Sequence, residues 1–249
     1  MPAYILQKHA ENIFRKITPS KGSWFEQIKN LCLQYSLPHP ATFLSSPPTK
    51  SVFKTTVKKR VIDYWEQKLR HEASLLPSLE FFHSHYMSLT RTHPLWTTAG
   101  ASPSKVVMAT TQAHFLSGRY RTQALCSHWS GSSSDCQLSP SCKTREDISH
   151  ILKDCSALIH TREKLNNFTR SYCASNPVIA GLVEQFCTVK CRLFVQFLLD
   201  CSVIPEIIAA VQVQGQDILT HLFDITRVWV YSLHRDRLKI LGRWRNFAT

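Results

Sequence analysis

The sequence is short of glycine and has none of the motifs by which common enzymes are recognised. Seven glycines in 249 residues are too few for an all-β chain full of tight turns or for a glycine-rich nucleotide loop. No Asp-Asp pair, Gly-x4-Gly-Lys-Ser/Thr loop, His-Glu-x2-His or Gly-x-Ser-x-Gly motif occurs. His83 and His85 could serve an acid–base site in a small hydrolase, but no partner can be named for them. We therefore expect neither catalysis nor a small-molecule substrate.

Long uninterrupted apolar runs are also missing. Lys8 and Glu11 interrupt the first 15 residues, which do not resemble a signal peptide. The most apolar stretch, 193–213, contains Asp200 and Glu206. Each charge would cost roughly 2.5–3.5 kcal/mol at a bilayer centre, so this stretch predicts two buried helices. We expect an intracellular protein, nuclear or cytoplasmic, that is not secreted and has no membrane partner. In a reducing compartment its nine cysteines would be metal ligands or buried thiols rather than disulfides.

Negative charge is the minority sign and is unevenly spread. Thirty Lys and Arg face 17 Asp and Glu, a net charge of +13. Residues 1–130 carry sixteen basic and six acidic groups, whereas the remaining residues are close to balanced. Such a field attracts polyanions, with nucleic acid as the first candidate and an anionic membrane surface as the second. The alternative is a basic balance that only keeps the protein soluble.

Apolar residues recur at helical spacing along most of the chain, which predicts an all-α fold of helical bundle-like segments. The best example is a helix over 51–73 with one apolar face, formed by Phe53, Val57, Val61, Tyr64, Trp65 and Leu69. A second, basic helix is expected over 119–129. The serine-rich run 130–135 is the clearest boundary. We predict a basic helical region at 1–129, a small zinc-knuckle-like insert at 130–160 and a C-terminal helical region at 161–249.

The chemistry of the sequence is concentrated in the spacing Cys136-x5-Cys142-x7-His150-x4-Cys155. Three thiolates and one imidazole form a closed tetrahedral zinc set, and a serine-rich loop with little apolar area needs a metal to fold. Glu146 or Asp147 could accept a hydrogen bond from His150 and orient it. Two alternatives stay open. Cys126 or His128 could replace a ligand, or the cysteines could be ordinary buried thiols.

Two clusters of basic residues are candidate phosphate contacts. The first stands near the start of the predicted helix 51–73 and comprises Lys54, Lys58, Lys59 and Arg60. Cations near a helix N-terminus are unfavourable unless an anion docks there. The second comprises Arg119, Tyr120 and Arg121, two cations around an aromatic ring on which a base could stack. The alternative for each cluster is a solvated basic face without a ligand.

The order of several short motifs resembles the region that follows the polymerase in LINE-type (non-LTR) retrotransposon reverse transcriptases. The matching segments are Trp24-Phe25, Leu31–Pro40, Val61–Trp65, Pro77–Leu79, His93–Trp96, Leu116–Thr122, Leu125–Trp129, the Cys136–Cys155 spacing, Gln196–Asp200 and Leu241–Trp244. The resemblance implies a thumb-like helical region, a linker, a CCHC knuckle that binds zinc through Cys136, Cys142, His150 and Cys155, and a helical tail. It also implies RNA or DNA as the ligand. The paired aspartates of the polymerase and any endonuclease domain are absent from this sequence.

From the sequence we therefore expect a zinc-stabilised, non-catalytic, C-terminal reverse-transcriptase-like segment that binds RNA or DNA without sequence preference. The alternative is a helical protein-interaction or scaffold segment with no nucleic-acid role. The choice between RNA and DNA and the oligomeric state stay open.

Overall fold

The structure, a computed structural model, describes residues 24–188 and 192–242 and confirms the predicted all-α class. No β-strand forms within these ranges, and the extended pairing there is an isolated antiparallel bridge between Asp135 and Arg145. The α-helices are α1 (Trp24–Gln34), α2 (Pro40–Ser45), α3 (Lys50–Ser74), α4 (Pro94–Thr97), α5 (Pro103–Leu116), α6 (Gln123–Ser130), α7 (Ile159–Cys173), α8 (Pro177–Thr188), α9 (Arg192–Leu199), α10 (Pro205–Gln214) and α11 (Asp217–Ile240). Short 3₁₀ or π turns cover Pro77–Leu79, Ser84–Tyr86, His150–Asp154, Ser156–Leu158 and Cys201–Val203.

The chain divides into two compact units, Met1–Glu72 and Ala73–Thr249. The three-part division predicted from the sequence remains a prediction, and both of its ends, 1–23 and 243–249, lie outside the described residues. None of the described helices is both long enough and apolar enough to cross a bilayer.

The described part of the first unit consists of α1, α2 and most of α3. Thr49 precedes α3, and its side-chain oxygen accepts a hydrogen bond from the Val52 N–H at 3.4 Å, as expected of an N-cap. Edge-to-face aromatic contacts line the helices, including Phe43 with Phe53 and Tyr35 with Tyr64. The long helix nevertheless has no buried residue, so its predicted apolar face is only partly covered, with Phe53 43% and Trp65 37% exposed.

The second unit is organised around α11, because this helix has apolar residues on most of its surface. It packs against α5, α7, α9 and α10. Its buried residues include Leu222, Phe223, Ile225, Trp229 and Leu233. Helices α9 and α10 correspond to the two helices predicted for residues 193–213, with Pro205 at the start of the second. Residues 194–199 of α9 are buried as predicted. In α10 only Ile207 is buried and Val213 is 82% exposed, so the predicted burial of the second helix is wrong.

The predicted insert lies between α6 and α7 and has little regular structure. Residues 131–149 form no helix of their own. Ile151 and Leu152, on the π turn that follows, are fully buried and hold this segment to the main core, where the turn contacts α11. The basic helix expected over 119–129 begins later than predicted, at Gln123. Arg119 and Arg121 therefore lie in the connection that precedes α6.

Candidate metal centre

The four residues singled out by their spacing come together in space. One ligand atom from each of Cys136, Cys142, His150 and Cys155 lies within 4.8 Å of every other. The Sγ atoms of Cys136 and Cys155 are 3.7 Å apart, and Cys142 Sγ is 3.4 Å from His150 Nε2. Three of the four residues are buried and Cys142 is half-buried. The cluster could hold a metal ion, with Nε2 as the ligand atom of the histidine.

The backbone of the insert explains how the first two ligands meet. Hydrogen bonds from the Cys136 N–H to the Thr144 carbonyl and from the Glu146 N–H to the Ser134 carbonyl, both 2.9 Å, fold residues 134–146 back on themselves. A turn closed by the Cys142 N–H and the Ser139 carbonyl at 3.0 Å brings Cys142 round towards Cys136.

The other two ligands depend on a widened helical turn. In an α-helix, residues five positions apart are rotated by about 500°, so they point roughly 140° away from each other. Residues 150–154 instead form a π turn, in which the Cys155 N–H bonds the His150 carbonyl at 2.8 Å. This wider turn brings His150 and Cys155 to the same side. Such turns occur often at functional sites.

Burial alone would keep the thiols of this cluster protonated. It raises the pKa of Cys136 to about 12 and raises the pKa of Cys155 as well, because a buried thiolate loses its hydration. A divalent cation among the sulfur atoms would reverse this preference, since metal-bound thiols lose their protons. The arrangement therefore favours either neutral thiols or thiolates bound to a cation.

The hydrogen-bond acceptor predicted to orient the His150 ring is not found among the described residues. His150 Nδ1 is buried and has no hydrogen-bond partner there. Asp147 Oδ1 accepts a hydrogen bond from the backbone N–H of His150, at 2.8 Å, and not from its ring. Glu146 is drawn to other groups, because its Oε1 accepts from Arg237 Nη2 at 2.5 Å and from the Gln123 N–H at 3.0 Å. Neither carboxylate orients the imidazole ring.

The buried pair of Glu146 and Arg237 was not anticipated from the sequence. Their side chains are 0% and 3% exposed. Arg237 lies on α11, 91 residues further along the chain than Glu146. The pair joins the ligand-bearing loop to the central helix of the second unit.

Arg162 is a second residue that sequence reasoning missed. On the first turns of α7, its Nη2 donates to the Cys155 carbonyl at 2.5 Å. Its Nη1 is buried and lacks a hydrogen-bond partner within the described chain. Burial lowers the pKa of Arg162, and the charges of Cys155 and Asp154 oppose that shift. A guanidinium therefore stands beside the cluster, where three thiolates would accumulate negative charge.

Other cysteines and histidines considered as alternatives do not join the cluster. Cys126 and His128 are outside the group of four, so neither replaces a ligand in this arrangement. His83 Nε2 lies 3.1 Å from Gln196 Oε1, and its ring meets that of His85 edge to face at 5.5 Å.

The predicted phosphate contacts differ in their exposure. Six are exposed, namely Lys54, Lys58, Lys59, Arg60, Arg119 and Arg121. Tyr120 is only 7% exposed, because its ring stacks on Phe115 at a centroid distance of 3.5 Å and its hydroxyl bonds His234 Nδ1 at 2.9 Å. Its ring is therefore not available to stack on a base, which corrects the role expected for it.

Comparison with known proteins finds no matching protein-family model, no matching curated protein and no matching solved structure.

Proposed function

We propose that Cys136, Cys142, His150 and Cys155 bind one zinc ion whose role is structural. Three thiolates and one imidazole are a common donor set for closed tetrahedral zinc sites. The convergence of all four ligand atoms within 4.8 Å carries this proposal. Four protein ligands leave no coordination position for water or substrate, whereas catalytic zinc sites keep one open. The ion would supply the folding energy that the serine-rich loop lacks, and the protein would not be an enzyme.

Metal stoichiometry on protein purified without added metal tests this assignment. We expect one zinc per chain, lost in Cys142→Ser and in His150→Ala. Cys126→Ser is the matched control, because Cys126 lies on nearby α6 and outside the cluster. A well-folded protein without zinc would contradict the assignment and make these cysteines ordinary core residues.

The biochemical function we propose is binding of RNA or DNA through phosphate contacts, without sequence preference. One observation on α3 carries it. Near the start of this helix, Lys54, Lys58, Lys59 and Arg60 are all exposed. In its second half, Lys68 and Arg70 pair with Glu72 and Glu66 at 3.9 and 3.2 Å.

The four cations near the start of α3 form no such pair within the described chain, although Asp63 stands four positions after Lys59 and three after Arg60. Among the described residues no ion pair involves the four cations there, and no acidic residue lies between positions 50 and 62. An uncompensated row of cations is favourable when phosphates replace the missing counter-ions. Exposed Arg119 and Arg121 in the second unit would add phosphate contacts of their own.

The resemblance to the post-polymerase region of LINE-type reverse transcriptases supports the same ligand class. It is carried by the order of the sequence motifs and by the CCHC spacing. We accordingly propose a non-catalytic, reverse-transcriptase-like segment that works inside the cell, in the nucleus or the cytoplasm.

The salt dependence of RNA binding tests the phosphate contacts. Each lost contact should reduce the slope of log K against log salt by about 0.7–0.9. Combined Ala substitution at Lys58, Lys59, Arg119 and Arg121 should therefore reduce it by about 3 if all four touch phosphate. The control is the combination Lys68→Ala and Lys105→Ala, because these cations pair with Glu72 and Asp224. Equal slopes in both variants would contradict the proposal.

A protein-interaction role is the second candidate, and the exposed apolar residues of the first unit favour it. Trp24 is 73% exposed and Leu33 is 68% exposed, and α3 has no buried residue along its 25 positions. Apolar groups of this size at a surface often mark interfaces. RNA binding that is absent or insensitive to salt, in protein that still holds zinc, would favour this alternative.

A further inference from the structure

The second unit contains a cavity that the phosphate contacts do not use. It has a volume of about 310 Å³, at the lower end of the range for small-molecule sites. Three chain segments wall it, at residues 77–81, 118–128 and 145–149. Its apolar side chains include Phe81, Leu125 and Ile148, and its polar ones include His128, Arg145 and Asp147.

The walls are fixed relative to each other at two places, Gly118 and Glu146. Gly118 has a φ of +66°, and a methyl group there would overlap the Ser78 carbonyl oxygen, so the first two walls touch through backbone. The second and third walls meet at Glu146. Its carbonyl accepts from the Ala124 N–H at 3.1 Å, and its carboxylate accepts from the Gln123 N–H at 3.0 Å. The cavity is therefore built by the fold and does not depend on one mobile side chain.

The polar groups that line the cavity divide by charge. Both carboxylates are already engaged, Glu80 with Arg192 at 3.6 Å and Asp147 with the backbone N–H of His150 at 2.8 Å. Within the described ranges, neither a hydrogen bond nor an ion pair involves the side chain of Arg145 or of His128. Exposed Arg119 and Arg121 alternate in sequence with the lining residues Gly118, Tyr120 and Thr122. The groups left free to bind a ligand are thus a cation and an imidazole beside apolar walls.

We propose that this cavity holds one unpaired nucleobase, with Arg145 bound to the phosphate attached to that nucleotide. The exposed imidazole of His128 offers a ring on which a base can stack, and Leu125 and Ile148 supply apolar walls beside it. The ring of Phe81, only 3% exposed, is as little available as that of Tyr120. Stacking of one base raises affinity by about fivefold or more. The volume is sufficient for one nucleotide. This inference rests on the proposed nucleic-acid function and adds to it a preference for unpaired strands. A free nucleotide has the same chemistry and is the other source of ligand.

The metal centre would control this cavity, because one wall belongs to the ligand-bearing loop. Arg145, Asp147 and Ile148 all lie between the ligands Cys142 and His150. Loss of the metal would release that wall, whereas the basic residues on α3 belong to a different unit.

The test compares a single-stranded RNA oligonucleotide with an oligonucleotide of the same length that lacks its bases, both titrated into the full chain. We expect the intact strand to bind at least about fivefold more tightly, the lower limit of one stacked base. In Arg145→Ala the intact strand should lose more affinity than the base-free strand, because only a bound base holds its attached phosphate at this side chain, and the ratio should therefore fall. The matched control is Lys143→Ala, an exposed cation of the same loop that does not line the cavity, and it should keep the ratio.

In a cavity-filling variant, Leu125→Trp, the ratio of the two affinities should also fall to about one. Zinc content and helical circular dichroism check that this variant folds. Equal affinity for intact and base-free strands would overturn the proposal. So would an equal loss of the ratio in Arg145→Ala and Lys143→Ala. Neither result affects the salt slope that tests α3, so failure of the cavity and failure of phosphate binding are distinguishable. Competition by adenosine monophosphate would support the cavity with a free nucleotide as its ligand, and a ratio that persists in its presence would support a strand.

Discussion

Arg162 would contribute a positive charge beside the proposed zinc site. A zinc ion with three thiolates and a neutral imidazole carries a net charge of −1, and this guanidinium is bonded to the carbonyl of one ligand, Cys155, at 2.5 Å. Its Nη1 is buried without a partner in the described chain and is free to donate towards sulfur. Removal of such outer partners typically costs 10–100-fold in metal affinity.

We therefore expect Arg162→Met to bind zinc about 10–100-fold more weakly than the wild type, measured by competition with a chromophoric chelator. Arg162→Lys should recover part of the loss because it restores the charge. Arg170→Met on the same helix, at an exposed position, is the control and should leave the affinity unchanged. Equal affinities in Arg162→Met and Arg170→Met would mean that Arg162 only packs against the loop.

His234 makes the stability of the second unit depend on pH. Burial, with Arg237 and His114 adding to it, lowers the pKa of His234 from 6.5 to about 4. The neutral ring accepts a hydrogen bond from the Tyr120 hydroxyl at Nδ1, at 2.9 Å. The ring resists protonation in the folded state but not in the unfolded state. Its contribution to the free energy of unfolding is therefore fully present above pH 6.5 and is lost as the pH falls towards 4.

We expect His234→Gln to lose less stability than the wild type between pH 6.5 and pH 4. The difference should be at most about 3 kcal/mol, the size of a shift of two to three pKa units. Urea unfolding at half-unit pH steps measures it. If bound zinc is released in this window, it is released from both proteins, and the effect cancels in the comparison. Parallel stability curves for the two proteins would contradict the assignment.

Among the elements, the connection before α6 depends on one glycine. Gly118 and Gly131 have almost the same φ, +66° and +63°, so an alanine at either position has the same backbone strain of about 1–2 kcal/mol. Only at Gly118 would the new methyl group also meet backbone atoms, those of Ser78. Nothing lies within 4 Å of a methyl group at Gly131.

Gly118→Ala should consequently lower the free energy of unfolding by clearly more than Gly131→Ala, which should cost about 1–2 kcal/mol. Chemical denaturation of both variants measures the two values. A similar small loss in both would mean that the 77–81 segment moves aside easily. The cavity between these walls would then not be preformed.

Local features of the fold could be predicted from the sequence, whereas contacts between distant parts of the chain could not. Helical periodicity predicted α3 to within one residue at each end, because an apolar stripe is a local property of the sequence. The convergence of Cys136, Cys142, His150 and Cys155 was predictable for the same reason, since their spacing lies within 20 consecutive residues. The partnership of Glu146 with Arg237 spans 91 positions, and no local pattern distinguishes such a buried pair from two surface charges. Tyr120 was misread because a Tyr between two Arg residues has the same local sequence whether its ring faces solvent or stacks on Phe115.

At the scale of the whole molecule, the candidate metal centre belongs to the main core of the second unit. Cys136 and Cys155 are members of the same buried apolar cluster as Phe223, Trp229 and Leu233. The Glu146–Arg237 pair adds a charged connection from the same loop to α11. Unfolding of the loop would therefore expose core surface and leave Arg237 buried without its partner, which is strongly destabilising.

Zinc removal should for these reasons lower the thermal stability of the second unit as a whole and not melt the loop alone. A ligand present at about 1,000 times its Kd stabilises the folded state by about 4 kcal/mol. For 150–250 residues each kcal/mol shifts Tm by about 2–4 °C, so chelation should lower Tm by about 8–16 °C. Calorimetry with and without a chelator measures the shift, and Cys142→Ser, already unable to hold the ion, should not respond to the chelator. An unchanged Tm in the wild type would mean that the apolar core holds the loop without metal, and the four ligand residues would then be packing residues rather than a zinc site.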